Sequence, residues 1–319
     1  MRRLVIDTDP GVDDAIALLV ALASPEVEVC AVTTVFGNVS VAQTTENALR
    51  VLALAGADVI PVAAGAQRPL VHPQPHRAAH VHGANGLGGV DLPSAQRQVE
   101  RLPAVPFLAD LLHESTSPVT VCAIGPLTNI ALLVATDPAA AARIERLVIM
   151  GGAYGAGNVT PTAEFNVWSD PEAAHRVLGA GLPITVVGLD VTRPTAMDAA
   201  AVARIGASGP VGSAAAAMLA HYLDFYVRVQ GGPGVVIHDA LAVLEAITPG
   251  ILGTVDRRVF VDCGHGRGRG TTLLDRSVGT RSGVGSGPLD NPLPIRVAET
   301  VDVPRALSEI ETRLCSYGP

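Results

Sequence analysis

Short runs of β-branched residues alternate with alanine- and leucine-rich stretches of helical length along most of the 319-residue chain. No other feature limits the fold as much. Strands separated by helices are joined by crossovers, and crossovers build a parallel sheet with helices on both faces. The pattern predicts strands over residues 4–6, 27–34, 59–63, 119–124, 147–150 and 184–187, and helices over 14–23, 41–55, 129–135 and 171–178. Residues 14–23 are apolar nearly all round, as a helix buried between layers must be, and Ser24-Pro25 stops it. Residues 255–261 and 271–274 read as paired strands, followed by a closing helix near 305–313. Residues 72–89, 264–270 and 282–287 are loops by their glycine, proline and histidine content. The expected class is α/β: an open, mostly parallel sheet flanked by helices, with a small β-containing C-terminal subregion. No linker or internal repeat divides residues 1–319, so one domain is expected.

Charge and composition then remove whole classes of function. The net charge is −8, which repels a partner held by phosphate neutralisation, so nucleic acid is not expected. Every basic residue is arginine. A Schiff-base enzyme and a lysine-dependent phosphate loop are therefore excluded. The four cysteines (Cys30, Cys122, Cys263, Cys315) are scattered with no C-x-x-C pair, which fits a reducing compartment and hence the cytoplasm. The densest apolar run covers residues 15–23, far short of the ~20 that a membrane-spanning helix needs. Met1-Arg2-Arg3 is followed by too few apolar residues for a signal-peptide core of about 7–15, so neither membrane nor export is expected.

Asp7-Thr8-Asp9-Pro10-Gly11-Val12-Asp13-Asp14 places four carboxylates between the first strand and the first helix. In an open parallel sheet, ligands bind beyond the C-terminal strand ends, where this turn lies. Carboxylates so close raise one another's pKa unless a cation is present. Aspartate oxygens suit Ca²⁺ or Mg²⁺, and no cysteine or paired histidine nearby argues for zinc. A lone aspartate here would be an ordinary helix cap, but four together off an apolar strand are costly without a ligand.

This turn resembles the signature of the nucleoside hydrolases, calcium-dependent enzymes that cut the N-glycosidic bond of ribonucleosides. Val35-Phe36-Gly37-Asn38, Gly125-Pro126-Leu127-Thr128-Asn129, Met150-Gly151-Gly152, Gly157-Asn158-Val159-Thr160-Pro161, Ala163-Glu164-Phe165-Asn166, Gly188-Leu189-Asp190-Val191-Thr192 and His238-Asp239-Ala240 follow in that family's order. The resemblance implies a Rossmann-like fold, a nucleoside substrate and a homodimer or homotetramer. It implies that Asp9, Asp14, Asp239 and the Ile124 carbonyl hold the calcium, with Asp9 the general base for the calcium-bound water. Most relatives have Thr where this chain has Ile124, but a carbonyl ligand survives that change. Asp13 and Asn166 would hold the 2′- and 3′-hydroxyl side, Asn158 and Glu164 the 5′-hydroxyl, and Asn38 the attacking water and the sugar. Glu164-Phe165-Asn166, if extended, would point its two polar side chains one way, with Phe165 and Met150 either core or packed near the sugar. His82 falls at the matching histidine of the family's mobile loop. His238 would help the base leave, since histidine is the side chain best tuned for that near neutral pH. Its presence makes the chain similar to the inosine- and uridine-cleaving type.

Two other readings stand beside this one. A haloacid-dehalogenase-type phosphatase also starts with a strand and Asp-x-Asp and uses Mg²⁺, with Asp7 as nucleophile, but Pro10-Gly11 and the missing lysine fit it poorly. A non-catalytic calcium- or ribose-binding protein would need neither Asp9 nor His238. The arginine-glycine segment 264–270 resembles a nucleic-acid motif, yet the acidic balance favours a turn between strands.

Overall fold

The computed structural model describes residues 1–73, 77–229, 231–232, 234–276 and 292–318. The strands are β1 (Arg2–Thr8), β2 (Val27–Thr34), β3 (Val62–Ala64), β4 (Val119–Ala123), β5 (Ile144–Met150), β6 (Ile184–Val187), β7 (Ala196–Met197), β8 (Val235–Val236), β9 (Leu252–Val261), β10 (Thr272–Asp275) and β11 (Ile295–Val301). Nine of them form one sheet in the order β10-β9-β11-β6-β5-β4-β1-β2-β3, and β7 and β8 pair separately. From β3 to β11 every pairing is parallel, whereas β9 joins β11 and β10 joins β9 antiparallel. The chain is thus α/β, with an open and mostly parallel sheet flanked by helices. The C-terminal strands extend the edge of that sheet rather than standing apart from it.

The central strands are buried on both faces, which is why they read as continuous apolar runs instead of alternating. On one face lie the helices Val12–Leu22 and His238–Ile247, packed against each other; the second is buried along its whole length. The opposite face carries a separate core built around Val5, Val121, Ile149 and Val186 with helices Thr128–Thr136 and Pro171–Leu178. Each fully buried leucine or isoleucine in these layers contributes about 1.5–3 kcal/mol by leaving water. Start signals are local: Ser40 caps Val41–Leu54 by accepting from the Gln43 amide, and Asp170 caps Pro171–Leu178 by accepting from Ala173.

Two expectations are corrected, and the turn expected at 264–270 joins β9 to β10. The third strand begins at Val62, not 59, because Val59 is turned outward and 82 % exposed, its carbonyl taken by Arg97. Residues 164–166 are not extended: Glu164 caps a short helix, Phe165–Ser169, so its carboxylate folds back onto that helix's amides. Arg269 in the arginine-glycine turn makes a two-pronged ion pair with Glu172, both bonds 2.8 Å, so that cation serves the fold. The loop expected at 282–287 lies outside the described residues. Among the described residues, no helix is long and apolar enough to cross a membrane.

Candidate active site

Strand β1 lies between β2 and β4, so consecutive connections leave it in opposite directions and open a crevice beyond the C-terminal strand ends. Asp9 follows β1 directly. Asp13 and Asp14 occupy the first turn of helix Val12–Leu22, and Asp239 the first turn of helix His238–Ile247. Two helix N-termini therefore converge on one point, each contributing partial positive charge where carboxylates gather. Residues more than two hundred positions apart meet here because those two helices pack side by side on the same face of the sheet.

Hydrogen bonds hold the cluster rigidly. Asp14 accepts on Oδ1 from the Thr8 hydroxyl at 2.5 Å and the Asp9 amide at 3.1 Å, and on Oδ2 from the Gly11 amide and Asn38 Nδ2, both at 3.0 Å. Asp9 accepts on Oδ2 from the Asn38 amide at 2.7 Å, while its buried Oδ1 has no partner among the described residues. Ligand oxygens of Asp13, Asp14 and Asp239 lie within 4.8 Å of one another. Burial raises the pKa of all four carboxylates, Asp9, Asp13, Asp14 and Asp239. Repulsion from neighbouring aspartates raises Asp9, Asp13 and Asp239 further. Buried oxygens with high proton affinity, one of them orphaned, fit a divalent cation: only positive charge lets several ionise together without water. The cluster can hold a metal ion through hard oxygen donors. Asp13 belongs to this closest group, whereas Asp9, tied to Asn38, stands just outside it.

Above the carboxylates opens a cavity of about 290 Å³, close to the lower bound for small-molecule sites. Asp13, Asn38, Ile124, Met150, Asn158, Glu164, Phe165, Asn166, His82, His238 and Asp239 all line it. Asp9 and Asp14 do not, lying behind the wall at 1 % and 0 % exposure. Glu164 is held by the amides of Asn166, Gly152 and Val167 at 2.8, 3.0 and 3.1 Å. Its pKa is still raised, because burial outweighs those donors. Asn158 Oδ1 accepts from the Phe165 amide at 2.9 Å, and Asn166 Nδ2 donates to the carbonyls of Ile124 and Met150 at 3.0 and 3.2 Å. The Ile124 carbonyl keeps a second lone pair for another partner.

At the far wall, His238 sits in a chain of hydroxyls. Thr192 Oγ1 meets its Nδ1 at 2.7 Å and Tyr226 Oη meets its Nε2 at 2.8 Å; Tyr226 continues to Tyr222 at 3.4 Å, which donates to Asp13 at 3.3 Å. Burial pushes His238 and His82 down to about 3, so both imidazoles are neutral at physiological pH. His82 accepts on Nδ1 from the Val12 amide at 3.1 Å, which leaves its proton on Nε2. Tyr222 and Tyr226 lie on helix Pro210–Arg228, where their four-residue spacing puts both on one face, a signal already present in the sequence. Thr192 closes the Gly188–Thr192 motif, but neither it nor Arg193 could be given a role from sequence, since their neighbours are set by tertiary packing.

A family model described as inosine-uridine preferring nucleoside hydrolase matches residues 4–308. The chain belongs to this family. Its relatives include uridine nucleosidase 1 of Arabidopsis thaliana, 39% identical over 98% of this chain and 93% of the relative. Another is the pyrimidine-specific ribonucleoside hydrolase RihA of Salmonella agona, 42% identical over 85% of this chain and 88% of the relative. Among solved structures, the purine-preferring ribonucleoside hydrolase from Gardnerella vaginalis superposes with a TM-score of 0.90 at 33% identity, covering 99% of each chain. This nucleoside hydrolase is therefore an enzyme that splits ribonucleosides into base and ribose. The phosphatase alternative also fails on geometry. Asp7, its required nucleophile, is spent on the fold: its Oδ1 accepts from the Thr33 hydroxyl and from Asn129 Nδ2.

Proposed function

We propose that hydrolysis proceeds by direct attack of water on the anomeric carbon of a bound ribonucleoside, with calcium as the resident ion. Asp9, Asp14, Asp239 and the Ile124 carbonyl would hold it. The observation that carries this reading is the burial of Asp13, Asp14 and Asp239 with their oxygens within 4.8 Å, at the floor of a cavity lined by hydrogen-bonding side chains. When bound, calcium supplies the charge that keeps these carboxylates ionised and acidifies a neighbouring water.

The remaining work falls to the chain's own residues. Asp9 takes the proton of the attacking water: its Oδ2 is anchored by the Asn38 amide and its Oδ1 has no competing donor. Asn38 orients that water and the sugar. Asp13 and Asn166 grip the 2′- and 3′-hydroxyl side, and Asn158 and Glu164 the 5′-hydroxyl. Met150 and Phe165 pack on the sugar and exclude water, and His82 covers the cavity from the loop side. The bond breaks with positive charge growing on the ribose, which Asp13 and Glu164 favour. The leaving base is served by His238, whose neutral imidazole sits between the Thr192 and Tyr226 hydroxyls and can pass a proton along that chain. We further place the enzyme in the cytoplasm as a homodimer or homotetramer; its four free cysteines accord with a reducing compartment.

The test is incubation of purified enzyme with inosine, uridine, cytidine and p-nitrophenyl phosphate, with calcium or with chelator. Ribose release that stops on chelation and returns with calcium is expected. Undiminished ribose release in chelator overturns the calcium assignment. Binding without ribose release, with calcium present, supports the non-catalytic alternative.

A further inference from the structure

Asn47 lies on helix Val41–Leu54, is 1 % exposed, and is not part of the cavity lining. Its amide nevertheless joins the acidic turn to the loop that carries His82. Nδ2 donates to the Pro10 carbonyl at 2.9 Å and to the Asn85 carbonyl at 2.9 Å, while Oδ1 accepts from Gln43 Nε2 at 2.9 Å. Pro10 sits between Asp9 and Gly11 in the acidic turn. Asn85 sits three residues beyond His82 in the loop that covers the cavity. Both hydrogens of one planar NH₂ group are thus spent on two carbonyls from different loops, which sets the distance and angle between them.

The rest of the loop is built around that joint. Gly83, Gly86, Gly88 and Gly89 all take positive φ, and the Gly88 amide donates back to the His82 carbonyl at 2.8 Å. Leu87 is 2 % exposed and packs into the main core, so the loop is anchored past the joint as well. At its near end, His82 docks on the first turn of helix Val12–Leu22 through the Val12 amide. Gly11 leaves the room for this approach, since a Cβ there would stand 2.8 Å from His82 Nδ1.

We propose that Asn47 is a positioning residue for the hydrolase reaction: it fastens the covering loop to the acidic turn and so holds His82 over Asp13, without touching substrate. This rests on the hydrolase reading of the cavity. Breaking the joint loosens the loop but leaves Asp9, Asn38 and the carboxylate cluster in place, so the loss falls on substrate binding more than on the chemical step.

The experiment compares Asn47→Ala with wild type on uridine and inosine, calcium present. KM should rise roughly tenfold, the scale of two lost hydrogen bonds, while kcat changes less than about threefold. In a His82→Ala background the same substitution should add less than about twofold, because both act through one seated loop. Gly86→Ala attacks the joint from the loop side, where a Cβ would come 2.9 Å from Asn47 Nδ2 and 3.1 Å from the Pro10 carbonyl, and should reproduce the KM rise even if Asn47→Ala folds poorly. Amide hydrogen exchange at residues 86–88 should quicken in Asn47→Ala, a readout that stands even if the chain hydrolysed no nucleoside. An unchanged KM in both single variants, a fall in kcat alone, fully multiplicative effects with His82→Ala, or unaltered exchange would each overturn the proposal.

Discussion

Gly37 is the sharpest test of whether the position of Asp9 governs catalysis. A Cβ at Gly37 would lie 1.9 Å from Asp9 Oδ2 and 2.7 Å from its Cγ. The backbone of Gly37 is outside the left-handed region, so alanine is allowed there and the nearest conflict is with the Asp9 side chain. To clear the methyl group, the carboxylate must retreat by about 1 Å, the scale of misplacement that costs about 10² in rate. Its other oxygen also lies close to a glycine: a Cβ added at Gly125 would stand 2.5 Å from Oδ1. The retreat also stretches the 2.7 Å bond from the Asn38 amide. Gly37→Ala should therefore lose about 10² in kcat on uridine at saturating calcium, while a bond to a charged acceptor worth about 1.5–3 kcal/mol bounds the loss of stability. Steady-state kinetics and a thermal melt on the same preparation measure both. A folded Gly37→Ala enzyme with kcat within about threefold of wild type would refute the reasoning, because a general base that can be displaced without consequence is not one.

Three further outcomes are expected. Asp9→Asn keeps the shape of the side chain but removes the base, so kcat should fall by at least ~10² with calcium still bound; an active Asp9→Asn enzyme would reassign the base. In metal-free protein the buried carboxylates bind protons more tightly folded than unfolded, so they favour folding below the ordinary carboxylate pKa and that contribution is lost as pH rises. For Asp13, pushed up to about 8 by burial and by Asp14, the loss falls between pH 3.8 and about 8. The calcium-induced gain in Tm should accordingly grow from pH 4 to 7, and a gain independent of pH would contradict the assignment of these carboxylates to the ion. His238→Ala should cost about 10²–10⁴ in kcat on inosine but far less on p-nitrophenyl riboside, whose leaving group needs no proton, and equal losses on both would remove His238 from leaving-group assistance.

Local chemistry in the chain was enough to read the class of fold and the location of the site. Residues 27–34 and 184–187 alternate with helical segments at spacings that only crossovers satisfy, and strands β2 and β6 match those bounds. The four aspartates at and just beyond the end of β1 marked the site because charge beside an apolar strand is costly without a reason. The sequence pattern could not tell how the segment at Glu164 would lie: alternation of polar and apolar residues is shared by strands and by caps of short helices, and here the Asn166 and Val167 amides, with the Gly152 amide just beyond β5, hold Glu164 as a cap. Nor could it tell that Asp13 would gather with Asp14 and Asp239 in one group that leaves Asp9 out. That depended on helix His238–Ile247 packing against helix Val12–Leu22, an event between residues more than two hundred positions apart. Asn47 was invisible for the same reason. An asparagine inside a helix carries no local mark of importance, and only the folded chain brings two carbonyls from separate loops within reach of its one amide.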